Sequence, residues 1–333
     1  MPYAVFQGGR RRRRRRGRAL LALVLVLAAA AAASLARGGG DAPPPRPAPG
    51  AVAPLRDAGT APLAGGGTAP SPLAVRLEES GDPVRIRFRH PPRSGLLFDI
   101  DTGRVLWRRD PTRVLPIASL TKMMTALVVT DRLGRGTKAR ISARALRYQG
   151  SGVGLLPRGK SIAVETLLYG LLLPSGNDAA IALAERAGGT VEGFVGLMNA
   201  RARHMGLLCT RYSGPDGFED RGNHSCAADL AALARAVLRV PRLASIVRRR
   251  QAVLPFPIKG RRLYLYNNNP LLRMGYPGTT GLKTGYTVAA GRCLVATARR
   301  GAVDLGVVLL HSPDPGTQAR RLLDRGFRAS VRP

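Results

Sequence analysis

Ala118-Ser119-Leu120-Thr121-Lys122 opens the run Met123-Met124-Thr125-Ala126-Leu127-Val128-Val129-Thr130, which has helical spacing. Ser119 and Lys122 stand at i and i+3, so a helix projects both side chains from one face. Ser119 is expected in the first turn, where free backbone N–H groups and the helix dipole favour a developing negative charge. A serine hydroxyl is a weak nucleophile and needs a base within hydrogen-bond reach. Lysine can be that base once burial and neighbouring positive charge lower its pKa. Arginine cannot, because it stays charged. The chain has 48 arginines and five lysines, yet keeps lysine here. On its own, S-x-x-K also describes a serine-capped helix with an ordinary surface lysine.

Two further stretches change that balance. Pro174-Ser175-Gly176-Asn177 falls between two helical patterns, where a turn would present a hydroxyl and an amide to a cleft. Thr280-Gly281-Leu282-Lys283-Thr284-Gly285 leads into a strand, offering a cation, a hydroxyl and a residue without a side chain in line. Gly285 is expected to let a substrate backbone approach closely. The order S-x-x-K, S-G-N, K-T-G, with gaps of 56 and 108 residues, makes the three motifs a joint signal.

Outward from the motifs, strands flank a helical middle. Val84 to Phe88 alternates with period two and predicts an edge strand. Gly95 to Asp99 and Arg104 to Trp107 predict a hairpin around a Gly-containing turn. Helices are predicted over Ser119–Thr130, Val164–Leu172, Asp178–Ala187, Val191–Met205 and Ala227–Val240. Strands follow at Cys293–Thr297 and Leu305–Leu310, and a helix after Pro315. The expected class is α+β: an antiparallel sheet flanked by helices, with a mostly helical inserted region.

The motif set resembles that of penicillin-binding proteins and class A β-lactamases. The phrases Ala118 to Thr125, Ser175-Gly176-Asn177-Asp178-Ala179-Ala180 and Gly281 to Thr287 are most similar to the D-alanyl-D-alanine carboxypeptidases of the low-molecular-mass penicillin-binding group, peptidase family S11. Met198-Asn199-Ala200, Asn269-Pro270-Leu271-Leu272 and Leu322 to Phe327 also resemble that family, so the likeness runs from about Gly95 to Phe327. The resemblance implies a β-lactamase/transpeptidase-like fold and a serine hydrolase acting on peptidoglycan stem peptides ending in D-Ala-D-Ala. Ser119 would be the nucleophile, Lys122 its base and Ser175 a proton relay to the leaving D-alanine. Asn177 would hold Lys122 and the substrate amide. Lys283 and Thr284 would bind the terminal carboxylate. Backbone N–H groups of Ser119 and Tyr286 would form the oxyanion hole. β-Lactams would acylate Ser119 and leave slowly. Tyr286 replaces the histidine that many relatives carry after K-T-G. Several relatives also have a C-terminal β-domain and an amphipathic helix; here membrane attachment is expected from the N-terminal segment.

Three other readings stay open. A class A β-lactamase would need a glutamate-directed water. Glu185, Glu192 and Glu219 lie between Ser175 and Lys283, but no E-x-x-L-N pattern occurs, and the middle motif is S-G-N rather than S-D-N. An endopeptidase cutting cross-links would use the same motifs. A basic envelope or nucleic-acid binder would not need them.

Composition fits an exported enzyme. The formal net charge of the 333 residues is +33, but the arginines are spread along the chain and read as a general bias, so nucleic acid is not an expected partner. Seven arginines at 10–16 precede the uncharged stretch Ala19 to Ala36. Residues 1–37 therefore read as a signal peptide or an uncleaved membrane anchor, and place the protein outside the cytoplasm, membrane-anchored or secreted to the cell wall. Residues 38–73, rich in Pro, Gly and Ala, read as a disordered linker. Residues 74–333 read as the catalytic domain. Cys209 and Cys226 flank a loop rich in Gly, Pro, Asp and Asn and are the disulfide candidate; Cys293 reads as a small core residue. There is no CxxC and no His/Cys cluster, so no metal and no cofactor is expected.

Overall fold

The computed structural model describes residues 72–78, 81–218, 222–258 and 260–330, all within one unit, Gly67–Pro333. The expected signal or anchor over 1–37, and the linker up to residue 71, lie outside the described residues. Among the described residues, no helix is long and apolar enough to cross a membrane. The first described segment is already tied down. Arg235, itself buried, donates to the carbonyls of Leu73, Ala74, Ile100 and Asp101 at 2.7–2.9 Å.

β1 (Ser94–Asp99) and β2 (Val105–Arg109) form the first hairpin. After β3 (Leu115–Pro116) come a 3-10 turn over Ala118–Thr121 and α1 (Lys122–Arg132). Next follow β4 (Lys138–Arg140), α2 (Ala143–Leu146), β5 (Ser161–Ala163), α3 (Val164–Leu172), α4 (Asn177–Gly188) and α5 (Val191–His204). β6 (His224–Ser225), α6 (Ala227–Arg239) and α7 (Pro241–Val247) lead to the hairpin β7 (Gln251–Pro255) and β8 (Arg262–Tyr266). α8 (Pro270–Arg273) precedes β9 (Thr279–Thr287), β10 (Gly291–Arg300) and β11 (Val303–Leu310), and α9 (Pro315–Ser330) follows.

The main sheet has the order β2-β1-β11-β10-β9, and its pairings are antiparallel. The first and last thirds of the domain thus build one sheet, and β9, with the K-T-G motif, is an edge strand. Successive side chains in a strand point to opposite faces, and the apolar residues divide accordingly. Leu96, Phe98, Val295, Val308 and Leu310 pack towards the helical region. Leu97, Leu294, Ala296, Val307 and Leu309 pack with Ala319, Leu322, Leu323 and Phe327 of α9. Helices therefore cover both faces. Each fully buried Leu or Val contributes about 1.5–3 kcal/mol.

Val84 to Phe88 is not a strand. Val84 N donates to the Leu106 carbonyl at 3.0 Å, and Phe88 packs edge-on against Trp107. The alternation comes from one side lying against the sheet margin without a ladder. The other predicted elements form within a few residues of their expected ends. The helical middle, from the 3-10 turn to α7, sits between β2 and β9 in sequence, so Ser119 and Lys283 meet at its seam with the sheet.

Candidate active site

Ser119 does not occupy the first turn of α1. It lies in the preceding 3-10 turn, and α1 starts at Lys122. In 3-10 geometry residues i and i+3 eclipse, which brings the two side chains closer than α-helical spacing would. Lys122 Nζ donates to Ser119 Oγ at 2.9 Å. Ala118, just before Ser119, has φ 47° and is fully buried, a left-handed conformation that costs an alanine about 1–3 kcal/mol. Two glycines hold the turn there. A Cβ on Gly285 would stand 2.9 Å from the Ile117 carbonyl oxygen and 3.1 Å from Ser119 N. A Cβ on Gly217 would overlap the Ala118 carbonyl. Gly285 therefore admits the turn that carries Ser119.

Lys122 is fully buried. Its three N–H bonds have three acceptors: Ser119 Oγ, Asn177 Oδ1 at 2.6 Å and the Asp216 carbonyl at 2.7 Å. Burial pulls its pKa down from 10.5 to about 8; the nearby Asp216 and Asp178 carboxylates oppose the shift. Lys122 thus readily gives up its proton while aimed at a hydroxyl.

The S-G-N motif joins α3 to α4. Ser175 has φ 70° and is buried. Asn177 opens α4; its Oδ1 takes the Lys122 hydrogen bond and its Nδ2 donates to the Gln149 carbonyl. Asp178 follows with a fully buried carboxylate that accepts from Val153 N and Gly154 N, both at 2.9 Å. α4 thereby fastens the 149–154 segment over the site.

On β9, Lys283 is buried and donates to the Thr284 carbonyl at 2.8 Å. Burial, and then the charge of Lys122, hold its pKa well below 10.5. Thr284, Gly285 and the exposed Tyr286 line a cavity of about 330 Å³ together with Ser119 and Ser175. Of the sequence-predicted site residues, Asn177, Lys122 and Lys283 stand behind this wall.

Several participants were not expected from the sequence. Asp216 contributes a backbone carbonyl, which any residue could supply. Thr125 Oγ1 donates to the neighbouring Pro215 carbonyl at 2.6 Å, and Asn199 brackets Tyr212 through both its backbone groups at 2.8 and 2.9 Å. Ser151, Asn268 and Arg292 also line the cavity. A Cys209–Cys226 disulfide closes the segment that carries Asp216. Cys293 is buried on β10, opposite Gly285. The sulfurs of Cys209 and Cys226 lie near the Asp229 carboxylate, but both are committed to the disulfide. Glu192 pairs with Arg144 at the surface, and no carboxylate is among the described cavity-lining residues.

Residues 87–314 match the model of the D-alanyl-D-alanine carboxypeptidase family. A D-alanyl-D-alanine carboxypeptidase of Bacillus subtilis is 34% identical over 72% of this chain and 62% of its own length. One from Mycobacterium tuberculosis is 35% identical over 71% of this chain and 82% of its own. The chain thus spans about three-fifths of the first relative. The crystal structure of a DD-transpeptidase from Streptomyces superposes with a TM-score of 0.69 at 30% identity, covering 73% of this chain and all of that one. Both the antiparallel sheet and its helical insertion fit that α+β fold.

Proposed function

Because this chain belongs to the D-alanyl-D-alanine carboxypeptidase family, we propose that it is a serine hydrolase removing the terminal D-alanine from peptidoglycan stem peptides, outside the cytoplasm. One observation carries the reading: Lys122 Nζ is suspended between Ser119 Oγ and Asn177 Oδ1 in a buried setting that lowers its pKa to about 8.

Neutral Lys122 takes the Ser119 hydroxyl proton as Oγ attacks the carbonyl carbon between the two terminal D-alanines. The negative charge formed on the carbonyl oxygen is met by the backbone N–H groups of Ser119 and Tyr286. Donors fixed in this way typically contribute a few kcal/mol. The C–N bond then breaks, and Ser175 passes a proton to the departing amine. An ester on Ser119 remains, and water attacks it with the proton path reversed. Thr284 receives the terminal carboxylate at the cavity wall, with the Lys283 side chain buried behind it. A β-lactam undergoes the same attack, but its leaving nitrogen stays tethered, so the ester persists. Attachment to a membrane would come through residues 1–37.

Mass spectrometry after penicillin treatment tests this reading. One covalent adduct is expected on the peptide containing Ser119, and none in Ser119→Ala. A pentapeptide ending in D-Ala-D-Ala should release free D-alanine faster than cross-linked dimers are cut; the reverse order would make the protein an endopeptidase. The absence of an adduct under native conditions would refute the serine mechanism.

A further inference from the structure

We infer that the outer face of the β7–β8 hairpin, with Tyr264 and Tyr266, is a platform on which the sugar strand of peptidoglycan stacks beside the catalytic cavity. This rests on the carboxypeptidase reading above and adds to it a binding surface for the part of the substrate that is not cut.

The hairpin alternates between core and solvent. Ala252, Leu263 and Leu265 are buried and join the core under the helical region. Between them Tyr264 and Tyr266 are 57% and 62% exposed, and Val253 is 47% exposed. Successive side chains of a strand point to opposite faces, so the buried set fixes the outward one. In the ladder Val253 stands opposite Tyr264, and Gln251 opposite Tyr266. Two phenol rings therefore follow each other about 7 Å apart along one strand, with Val253 and the Gln251 amide beside them. Neither tyrosine side chain has a hydrogen-bond or ring partner among the described residues. Large apolar groups exposed side by side, rather than singly, mark a contact surface.

Place and chemistry name the occupant. β8 ends at Tyr266, and Asn268 lines the cavity of Ser119 and Ser175. Two residues span at most about 7 Å, so the platform begins at the rim of that cavity. The join is firmly held. Buried Asn267 donates through Nδ2 to the carbonyls of Val247 and Arg249 at 3.1 and 3.0 Å. Asn268 donates to the carbonyls of Leu173 and Pro174, both at 3.1 Å, immediately before Ser175. A stem peptide reaches the cavity as a branch of a strand of N-acetylated sugars, which brings sugar rings to the protein surface near the rim. A pyranose has an apolar C–H face and hydroxyls at its edge. Tyrosine offers the complement, an apolar ring with a polar tip, and the Gln251 amide both donates and accepts. Among the outward side chains of the two strands only Arg262 is charged, which suits a neutral polymer.

The test compares D-alanine release from uncross-linked sugar strands carrying pentapeptide stems with release from the same pentapeptide free in solution. The proteins are the parent, the double variant Tyr264→Ala/Tyr266→Ala and the double variant Tyr264→Phe/Tyr266→Phe. The readout is the ratio of kcat/KM for strand over free peptide, which a merely structural role would not move. The parent should prefer the strand. The alanine pair should lower that preference roughly tenfold, the scale for truncating interface tyrosines, through KM and with the free pentapeptide unaffected. The phenylalanine pair should keep most of it, because the rings remain. The preference should persist at about 0.5 M salt, where attraction to exposed arginines is screened. Unfolding midpoints of the variants check that the fold persists. A parent without strand preference, or an alanine pair with the parent's ratio, overturns the assignment. So does a preference that vanishes at high salt, since the basic surface would then hold the strand. If any of these occurs while penicillin still labels Ser119 and D-alanine is released, only the platform falls. If neither labelling nor release occurs in the parent, the carboxypeptidase reading falls and this inference with it.

Discussion

Lys122 Nζ lies 2.9 Å from Ser119 Oγ and is fully buried. Only the neutral amine can accept a proton, and its pKa is pulled down to about 8. Acylation by a β-lactam should therefore rise with pH through about 8 and level off above it. Lys122→Arg should lower the acylation rate about 10²–10⁴-fold, the usual contribution of a positioned base. Stopped-flow acylation across pH 6.5–9.5 measures this, and a flat profile would remove Lys122 as the base.

The same burial carries a stability cost with a definite sign. The folded pKa is about 8 and the unfolded value 10.5. Between those values the unfolded chain holds a proton that the folded chain has released, so stability rises with pH across that window. Below pH 8 both states are protonated and the full cost is present. Lys122 alone should add about 3 kcal/mol between pH 8 and pH 10.5. Lys122→Met should flatten that part of the curve in urea unfolding at stepped pH. A mutant curve parallel to the parent's across the window would contradict it.

Asp178 is invisible as a functional residue in the sequence, yet its carboxylate caps two backbone N–H groups at 2.9 Å. Asp178→Ala leaves those donors without their acceptor; Val153 is half-buried and Gly154 exposed, so each lost bond costs about 0.5–1.5 kcal/mol. The 149–154 segment should loosen and the melting temperature should fall by several degrees. Asp178→Asn, which keeps one acceptor oxygen, should fall less. Equal melting temperatures for all three proteins would show that the segment is held by other contacts.

Gly285→Ala probes the grip on the nucleophile's turn. The added methyl would meet the Ile117 carbonyl at 2.9 Å and Ser119 N at 3.1 Å. Both are backbone atoms, so the turn itself must shift. A misplacement of that kind can slow chemistry about a hundredfold. The penicillin adduct should form at least tenfold more slowly, while the far side of the sheet keeps its packing. Parent-like acylation would mean that β9 yields instead of the turn.

The legible parts of the molecule were those with a period or a motif. α3 runs over Val164–Leu172 as its apolar spacing predicts, and β10 and β11 contain the expected runs. The α+β class followed from strands at both ends of a helical middle. Val84 to Phe88 misled because packing against Trp107 imposes the same alternation as a ladder. The β7–β8 hairpin escaped notice because Pro255 and Pro257 break the strand signal. In the candidate site, Ser119, Lys122, Ser175 and Asn177 were legible because each is a side chain belonging to a short motif. The Asp216 carbonyl was not, since a backbone oxygen has no residue signature.

Breaking the Cys209–Cys226 disulfide should affect the chemistry as well as the fold. It closes a segment of sequence separation 17, and in that segment Asp216 and Pro215 accept the hydrogen bonds of Lys122 and Thr125. Gly217 adds the contact to Ala118. A loop of this size contributes about 3 kcal/mol when closed by a disulfide. The double variant Cys209→Ser/Cys226→Ser should therefore unfold at lower urea. It should also acylate more slowly, because the carbonyl that helps hold Lys122 would no longer be fixed. Treating the parent with dithiothreitol should reproduce both effects, and reoxidation should reverse them. If the variant loses stability but acylates at the parent rate under native conditions, the segment keeps its place through Asn199 and Tyr212, and the disulfide serves the fold alone.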